Sequence, residues 1–408
     1  MSANFQENNA QTQTMDNDND DDTNLLILLL FLSYTFTFLS FHSFLSLGSQ
    51  RRRKGTVRCG ALLPPQASAF TALFNSGQDD ALITLCGFDH ASFTMLLGLF
   101  KPLYDNLTPY SKDGMISDEF DAYRGRPRCM DACTCLALCL AWTRTRGSLA
   151  VLCIIFGITS STLSLWIRFS RRIVIHMLLD HPLAKVAMPT FQELLAYRDL
   201  IQAKYPALQT EWGAMDGLKV RCHMSGDNSK QNYFFNGWLH GHYVTNLLLF
   251  SPDGLVRACY LNSPGTTHDS SMANYGGVYG LVDDVYAHYG LRIVADSAFA
   301  RDQRASILPS YQTNFDRNGR FRQNPALFRA ATSLRQLSEW GMRGFQASFP
   351  RLKDPLMYEE RGERKVILQM MVLLYNFRAS TVGQNEIQSS FMASLERDAN
   401  EYLFGDLD

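Results

Sequence analysis

The sequence predicts an α/β fold, a mixed sheet flanked by helices, preceded by an all-helical region. Three observations carry that expectation. Apolar residues recur at a helical period of about 3.6 up to residue 205 and at a strand period of about 2 beyond it. The strand-like runs begin as a hairpin and then alternate with helical ones, the order of antiparallel strands followed by α/β units. With 408 residues, 46% hydrophobic and 19% charged, the chain can bury a core without disulfide or metal staples. The 38 Lys+Arg against 39 Asp+Glu exclude a wholly basic nucleic-acid-coating protein and a wholly acidic disordered one, while leaving local basic faces open. Nine cysteines without paired CxxC spacing read as buried, reduced thiols of an intracellular protein.

Residues 1–54 differ from the rest. Residues 1–24 hold six acids and no Lys or Arg, a composition that predicts disorder. Residues 25–47 then run without a formal charge, and Arg51, Arg52, Arg53 and Lys54 follow. That run is long enough to cross a hydrocarbon core of about 30 Å, with its C-terminal side cytoplasmic. A cleaved signal peptide fits less well, because the basic cluster follows the apolar run. A low-complexity leader or a wrongly assigned gene start is the other reading, with the basic cluster as a targeting or DNA-contacting patch.

Residues 55–205 are expected to be helical. Phe70, Leu73 and Phe74, then Phe93, Leu96, Leu97 and Phe100, keep helical spacing, with a turn at Ser76–Gly77–Gln78–Asp79 and a loop over 109–125. An apolar helix over 130–142 is followed by a second over 148–156, capped by Ser148. Gly157–Ile158–Thr159 form a turn, and a third helix runs over 161–179. Helix, Gly-containing turn, helix is the helix-turn-helix pattern. Eight Arg against Asp131 alone give residues 124–172 a local charge of +7, so Arg168, Arg171 and Arg172 are candidate DNA contacts. Three packed helices with a Gly turn also occur in proteins that never touch DNA.

The strands follow in residues 206–383, and residues 384–408 are a tail. Residues 212–220 form a strand with Asp216 in its middle. A buried strand over 242–250 turns at Ser251–Pro252–Asp253–Gly254 into a strand over 255–261. Asn262–Ser263–Pro264–Gly265 is a loop leading to a helix start at His268–Asp269. Residues 291–295 form a strand ending on Asp296, and a helix over 328–345 carries Glu339. This is the element order of the RNase H fold, in which the first strand, the fourth and a late helix converge. Three carboxylates at one point repel each other and persist most readily beside divalent cations; oxygen-only ligands select Mg²⁺ or Mn²⁺ over zinc. Each acid also has a plainer reading: a turn acid before Gly217, a helix N-cap at Asp296, and an i,i+4 pair of Glu339 with Arg343. Residues 301–353 hold ten basic groups and three acids, which makes Arg320, Arg322 and Arg343 candidate phosphate contacts.

The same residues carry a resemblance. Gly213–Ala214–Met215–Asp216–Gly217, Ser263–Pro264–Gly265–Thr266–Thr267–His268–Asp269, Ala295–Asp296–Ser297–Ala298–Phe299 and Ser338–Glu339–Trp340–Gly341–Met342–Arg343, followed by Phe349–Pro350–Arg351–Leu352, look like successive blocks of the PIF/Harbinger-type DDE transposases. Each block alone is weak; together, in order over residues 206–380, they are specific. The resemblance implies a DDE superfamily endonuclease with an RNase H-like domain, in which Asp216, Asp296 and Glu339 are catalytic and hold Mg²⁺ or Mn²⁺. Asp269 is a further metal candidate, either behind those acids or capping its helix. The resemblance also implies DNA as substrate, a nuclear location, a separate Myb-like DNA-binding partner as such elements commonly need, and a homo-oligomer as an open possibility. Two alternatives stand beside it: a domesticated DNA- or chromatin-binding protein that keeps the fold without catalysis, and a membrane-associated protein held through residues 25–47.

Overall fold

In the computed structural model of the chain, which describes residues 29–30, 32–37, 57–107, 109, 128–299, 304–311, 324–358, 360–383 and 387–391, the apolar spacing after Ser68 becomes a series of helices. Ser68 accepts from the Thr71 amide and starts α1 (Ala69–Asn75). Then come α2 (Asp79–Cys86) and α3 (His90–Asn106), the latter capped by Asp89. Asp131 caps α4 (Ala132–Arg144), which is buried along nearly its whole length. The first helix of the expected helix-turn-helix pair, α5 (Ala150–Phe156), has Leu149 as its cap residue, and the Ser148 hydroxyl accepts from its Ala150 amide at 3.3 Å. It meets α6 (Ser160–Leu178) at a bend of 86°. The bend turns at Gly157, φ +66°, where a Cβ would lie 2.1 Å from the Leu63 carbonyl oxygen, so only glycine fits. A capping box of Thr190 and Glu193 opens α7 (Phe191–Lys204).

The sheet uses β1 (Glu211–Arg221), β2 (Phe235–Asn236), β3 (Gly241–Phe250), β4 (Val256–Pro264), β5 (Arg292–Asp296) and β6 (Ile307–Ser310). β3 pairs antiparallel with β1 on one side and with β2 and β4 on the other; β5 runs parallel to β1, and β6 parallel to β5. Between strands lie α8 (Asn228–Phe234), α9 (Asp269–Tyr275) and α10 (Val278–Tyr289); α11 (Pro325–Ser348) and α12 (Arg361–Thr381) follow the sheet. One face of the sheet packs Met215, Leu247, Leu249, Ile293 and Ala295 against Leu194 and Tyr197 of α7 and Val282 and Val285 of α10. On the other, the Phe250 ring seats on Gly341 of α11 and meets Tyr375 of α12 edge-on.

Several expectations change. β4 continues through Ser263 and Pro264, where a loop was expected, because a register shift between Thr245 and Leu247 realigns it. The short polar α8, and β6 with its proline, lack a strand-length apolar alternation and were not predicted. The break expected at residue 205 is not a break in packing. Arg378 Nε donates to the Gly87 carbonyl at 2.9 Å, Arg144 Nη1 donates to the Ser348 carbonyl at 3.1 Å, and Cys139 sits against Met370. Residues Cys59–Asp408 form one compact unit and Met1–Arg58 another. Part of the expected tail is folded in: Ile387 and Phe391 are buried, and Lys204 Nζ donates to the Ser390 carbonyl at 2.9 Å. All nine cysteines are free thiols; five are buried, while Cys59 and Cys129 are exposed.

In the first unit, residues 29–30 and 32–37 are helical, and the hydroxyls of Ser33 and Thr35 donate to carbonyls one turn back. The acidic leader, most of residues 25–47 and the basic cluster at 51–54 lie outside the described residues. Among the described residues no single helix is long and apolar enough to cross a membrane. The bent pairs α2–α3 and α5–α6 meet length and composition together, but their Leu82, Phe93, Leu96, Leu152, Phe156 and Leu163 are core residues.

Candidate active site

Met215 pairs with Ala295 across the parallel strands β1 and β5, so the next residue on each, Asp216 and Asp296, projects from neighbouring strands on the same face. Met215 and Ala295 belong to the core on the opposite face, and α11 covers the acids' side. Asp216 thus lies within a strand, paired with Leu248, and not in a turn. Its Oδ1 accepts from the Gly217 amide at 2.7 Å and its Oδ2 from Arg335 Nη1 at 3.3 Å. Burial pushes the Asp216 carboxyl up to about 6; the neighbouring Asp269 and Asp296 charges push the same way, and the Gly217 N–H and Arg335 oppose them. Asp296 closes β5, its Oδ1 accepting from the Ser297 amide at 2.6 Å.

Asp269 is the first residue of α9 and not its cap, which is His268. The Asp269 carboxylate approaches the backbone of Gly217, where a Cβ would come within 2.9 Å of Oδ1. Burial raises its carboxyl above the usual range, the Asp296 charge adds to this, and Lys219 and His268 counter it. Asp216, Asp269 and Asp296 are therefore within electrostatic reach of one another.

Glu339 stands apart from these three. It is partly exposed on α11, and its Oε1 accepts from Arg335 Nη2 at 2.7 Å. The expected partner, Arg343, is one turn away on the other side; Arg335 takes its place because it faces the sheet. Arg335 therefore bridges Asp216 and Glu339. Sequence reasoning missed it as a site residue, although its place four residues before Glu339 was a usable signal. Among the described residues no three Asp, Glu, His or Cys side chains are arranged to hold a metal ion. The donor chemistry nevertheless fits one: Asp216 and Asp296 offer only oxygens, and the raised Asp216 carboxyl marks a place where added positive charge would be stabilised.

The candidate DNA contacts divide. Arg168 is exposed on α6 and Arg343 on α11. Arg172 is half-buried, 3.5 Å from Glu363 of α12. Arg171 is turned inward: its Nη2 is 3.2 Å from Glu363 and its guanidinium stacks over the Trp142 ring. It is withdrawn from any DNA-facing set, because α6 buries that face against α12. Arg320 and Arg322 lie outside the described residues.

Residues 215–376 match the family described as DDE superfamily endonucleases, a span from β1 into α12 that contains Asp216, Asp269, Asp296 and Glu339. Comparison with curated proteins and with solved structures finds no match.

Proposed function

We propose that this chain is a DNA endonuclease of the transposase-like kind, hydrolysing phosphodiester bonds at Asp216, Asp296 and Glu339. The observation that carries the reading is that Asp216 and Asp296 directly follow the paired Met215 and Ala295 on adjacent parallel strands, inside the segment that matches the DDE superfamily endonucleases. The strand order, antiparallel β4–β3–β1 continued by parallel β5 and β6, supports an RNase H-like frame. The finer assignment to the PIF/Harbinger type, with its Myb-like partner, rests on the four sequence blocks. Asp216 and Asp296 would hold Mg²⁺ or Mn²⁺, with Glu339 joining them once Arg335 releases it. Such an ion supplies a more acidic bound water and stabilises the leaving oxygen. The chain's own groups bind and orient. The Gly217 and Ser297 amides fix the two carboxylates, and exposed Arg168 and Arg343 are suited to phosphates.

One observation favours the second reading, a DNA-binding protein without catalysis: the Arg335 guanidinium already supplies positive charge between Asp216 and Glu339. Plasmid nicking by the full chain with Mg²⁺ or Mn²⁺ separates the two. Metal-dependent nicking that Asp296→Asn abolishes is expected. An intact fold that binds DNA and does not nick it, with a Myb-like partner also supplied, establishes the second reading.

A further inference from the structure

The hairpin joining β2 to β3 holds Trp238 at 88% exposure. Trp142, Trp166 and Trp212 are buried and Trp340 is half-buried, so Trp238 stands out for a ring that stabilises almost nothing in the folded core. Its position is nonetheless fixed. Asn236 Oδ1 accepts from the Trp238 and Leu239 amides at 3.2 and 3.0 Å, while Asn236 Nδ2 donates to the Gly265 carbonyl at 2.9 Å. The turn closes through His240 in the left-handed region, φ +48°. Gly265 begins the loop that delivers His268 and Asp269, so the same bonds tie the tryptophan to an acid-bearing loop.

Between hairpin and loop lies a cleft of about 430 Å³ lined by Lys219, Phe235, Trp238, Thr266, His268 and Asp269. One end is aromatic: Phe235, 40% exposed, continues the Trp238 surface. The other end is Asp269, within electrostatic reach of Asp216 and Asp296. Lys219 and the threonine hydroxyls offer partners for phosphate oxygens. The cleft thus joins a flat, wet aromatic surface to the acids, with a cation and hydroxyls between them. A nucleotide strand has the matching layout, with π-faced bases projecting from a charged backbone.

We propose that Trp238 is a base-stacking residue of the DNA site: an unpaired nucleotide next to the scissile phosphate enters this cleft and lays its base on the indole. The inference rests on the nuclease reading and adds that the strand is single or locally frayed at the point of cleavage. Stacking of this kind is sequence-tolerant, because every base presents a π-face.

The test uses the full chain and a 20-nucleotide oligo(dT), followed by intrinsic tryptophan fluorescence and by anisotropy of a labelled strand. Trp238 is the most exposed of the five indoles, and its part of the emission is the signal lost in Trp238→Ala. Expected is quenching on addition of oligo(dT), absent from Trp238→Ala, whose affinity falls on the order of tenfold. Trp238→Phe should keep most of the affinity, and thermal melting of both variants should match the parent, since the ring is outside the core. Oligo(dT) bound equally well by Trp238→Ala, quenching that survives the substitution, or no binding of oligo(dT) at all would each overturn the proposal. Plasmid nicking is read in parallel. Quenching without nicking, with a Myb-like partner also supplied, keeps the stacking site and removes the nuclease reading, whereas nicking at an unchanged rate in Trp238→Ala, without quenching, does the reverse.

Discussion

Two groups of charges sit in the larger unit, and they are treated oppositely. Along the seam that α12 forms with both the sheet and the helical region, cations are wholly or partly buried with partners. Arg364, 2% exposed, gives Nε to Asn262 Oδ1 at 3.0 Å and Nη1 to the Met357 and Tyr358 carbonyls, with its guanidinium over the Phe234 ring. Arg171 has Glu363 and Trp142; Arg378 has the Gly87 carbonyl and Ser348. Within β1, at the start of α9 and at the end of β5, like charges are gathered, and Arg335, Lys219 and His268 oppose them. In the seam each of these cations has a partner, although the buried Arg171 Nε and Glu363 Oε2 make no hydrogen bond. The acid cluster is held chiefly by burial above the usual carboxylate range, with repulsion among its acids that the nearby cations only partly offset. A surplus of arginine in a sequence window is therefore poor evidence of a DNA face, because part of it is structural.

The comparison breaks most readily at Arg364. Arg364→Ala strands two carbonyls and Asn262, and should cost about 3–5 kcal/mol in urea unfolding; a loss under about 1 kcal/mol would mean the seam is not what holds α12. Arg171→Ala should follow at roughly 2–4 kcal/mol, since it leaves the Glu363 carboxylate without its closest cation. At the acid cluster the sign reverses. Burial holds the folded Asp216 carboxyl up at about 6, against an ordinary 3.8. Its favourable contribution is complete below the lower value and is lost as pH rises through the upper one. Asp216→Asn should therefore be more stable than the parent at pH 8, by on the order of 2–3 kcal/mol. The gain should shrink towards pH 4, and melting curves at the two pH values would show it; equal melting at pH 8 would refute the account in which burial, aided by the neighbouring acids, raises this carboxyl. Arg168→Ala is the smallest change, within about 0.5 kcal/mol in stability. It should nevertheless weaken DNA binding and lower the salt slope by about 1, measured by titration at several salt concentrations. If Arg171→Ala and Arg168→Ala affect DNA binding alike at matched folding, the division between inward and outward arginines fails.

What the sequence reveals depends on how local each signal is. β1, β3 and β5 were legible because apolar alternation is bounded by turn residues, and Asp216 and Asp296 stood out as acids within or at the end of such runs. Glu339 was legible on its helix, but its partner was not. Choosing Arg335 over Arg343 needs the rotation of α11 about its axis, which the seating of Phe250 on Gly341 fixes from another strand. The inward placement of Arg171 is hidden for the same reason, since only contact with α12 makes that side of α6 the inside. Asp269 approaches Gly217 from a helix 52 positions on in the sequence, and nothing in the spacing announces the contact. β6, four residues with a proline, carries too little pattern to be read as a strand at all.

α12 has one more consequence, for the order of events at the ribosome. Cys139 meets Met370 across 231 positions, and Arg171 needs Glu363. The helical region therefore leaves the exit tunnel long before the helix that completes its interior has been translated. Until then α4 and α6 hold apolar surface with no permanent cover, a long-range closure that slows folding and invites aggregation. A nascent chain arrested before residue 361 should be captured by general chaperones, and one released after residue 381 should escape them.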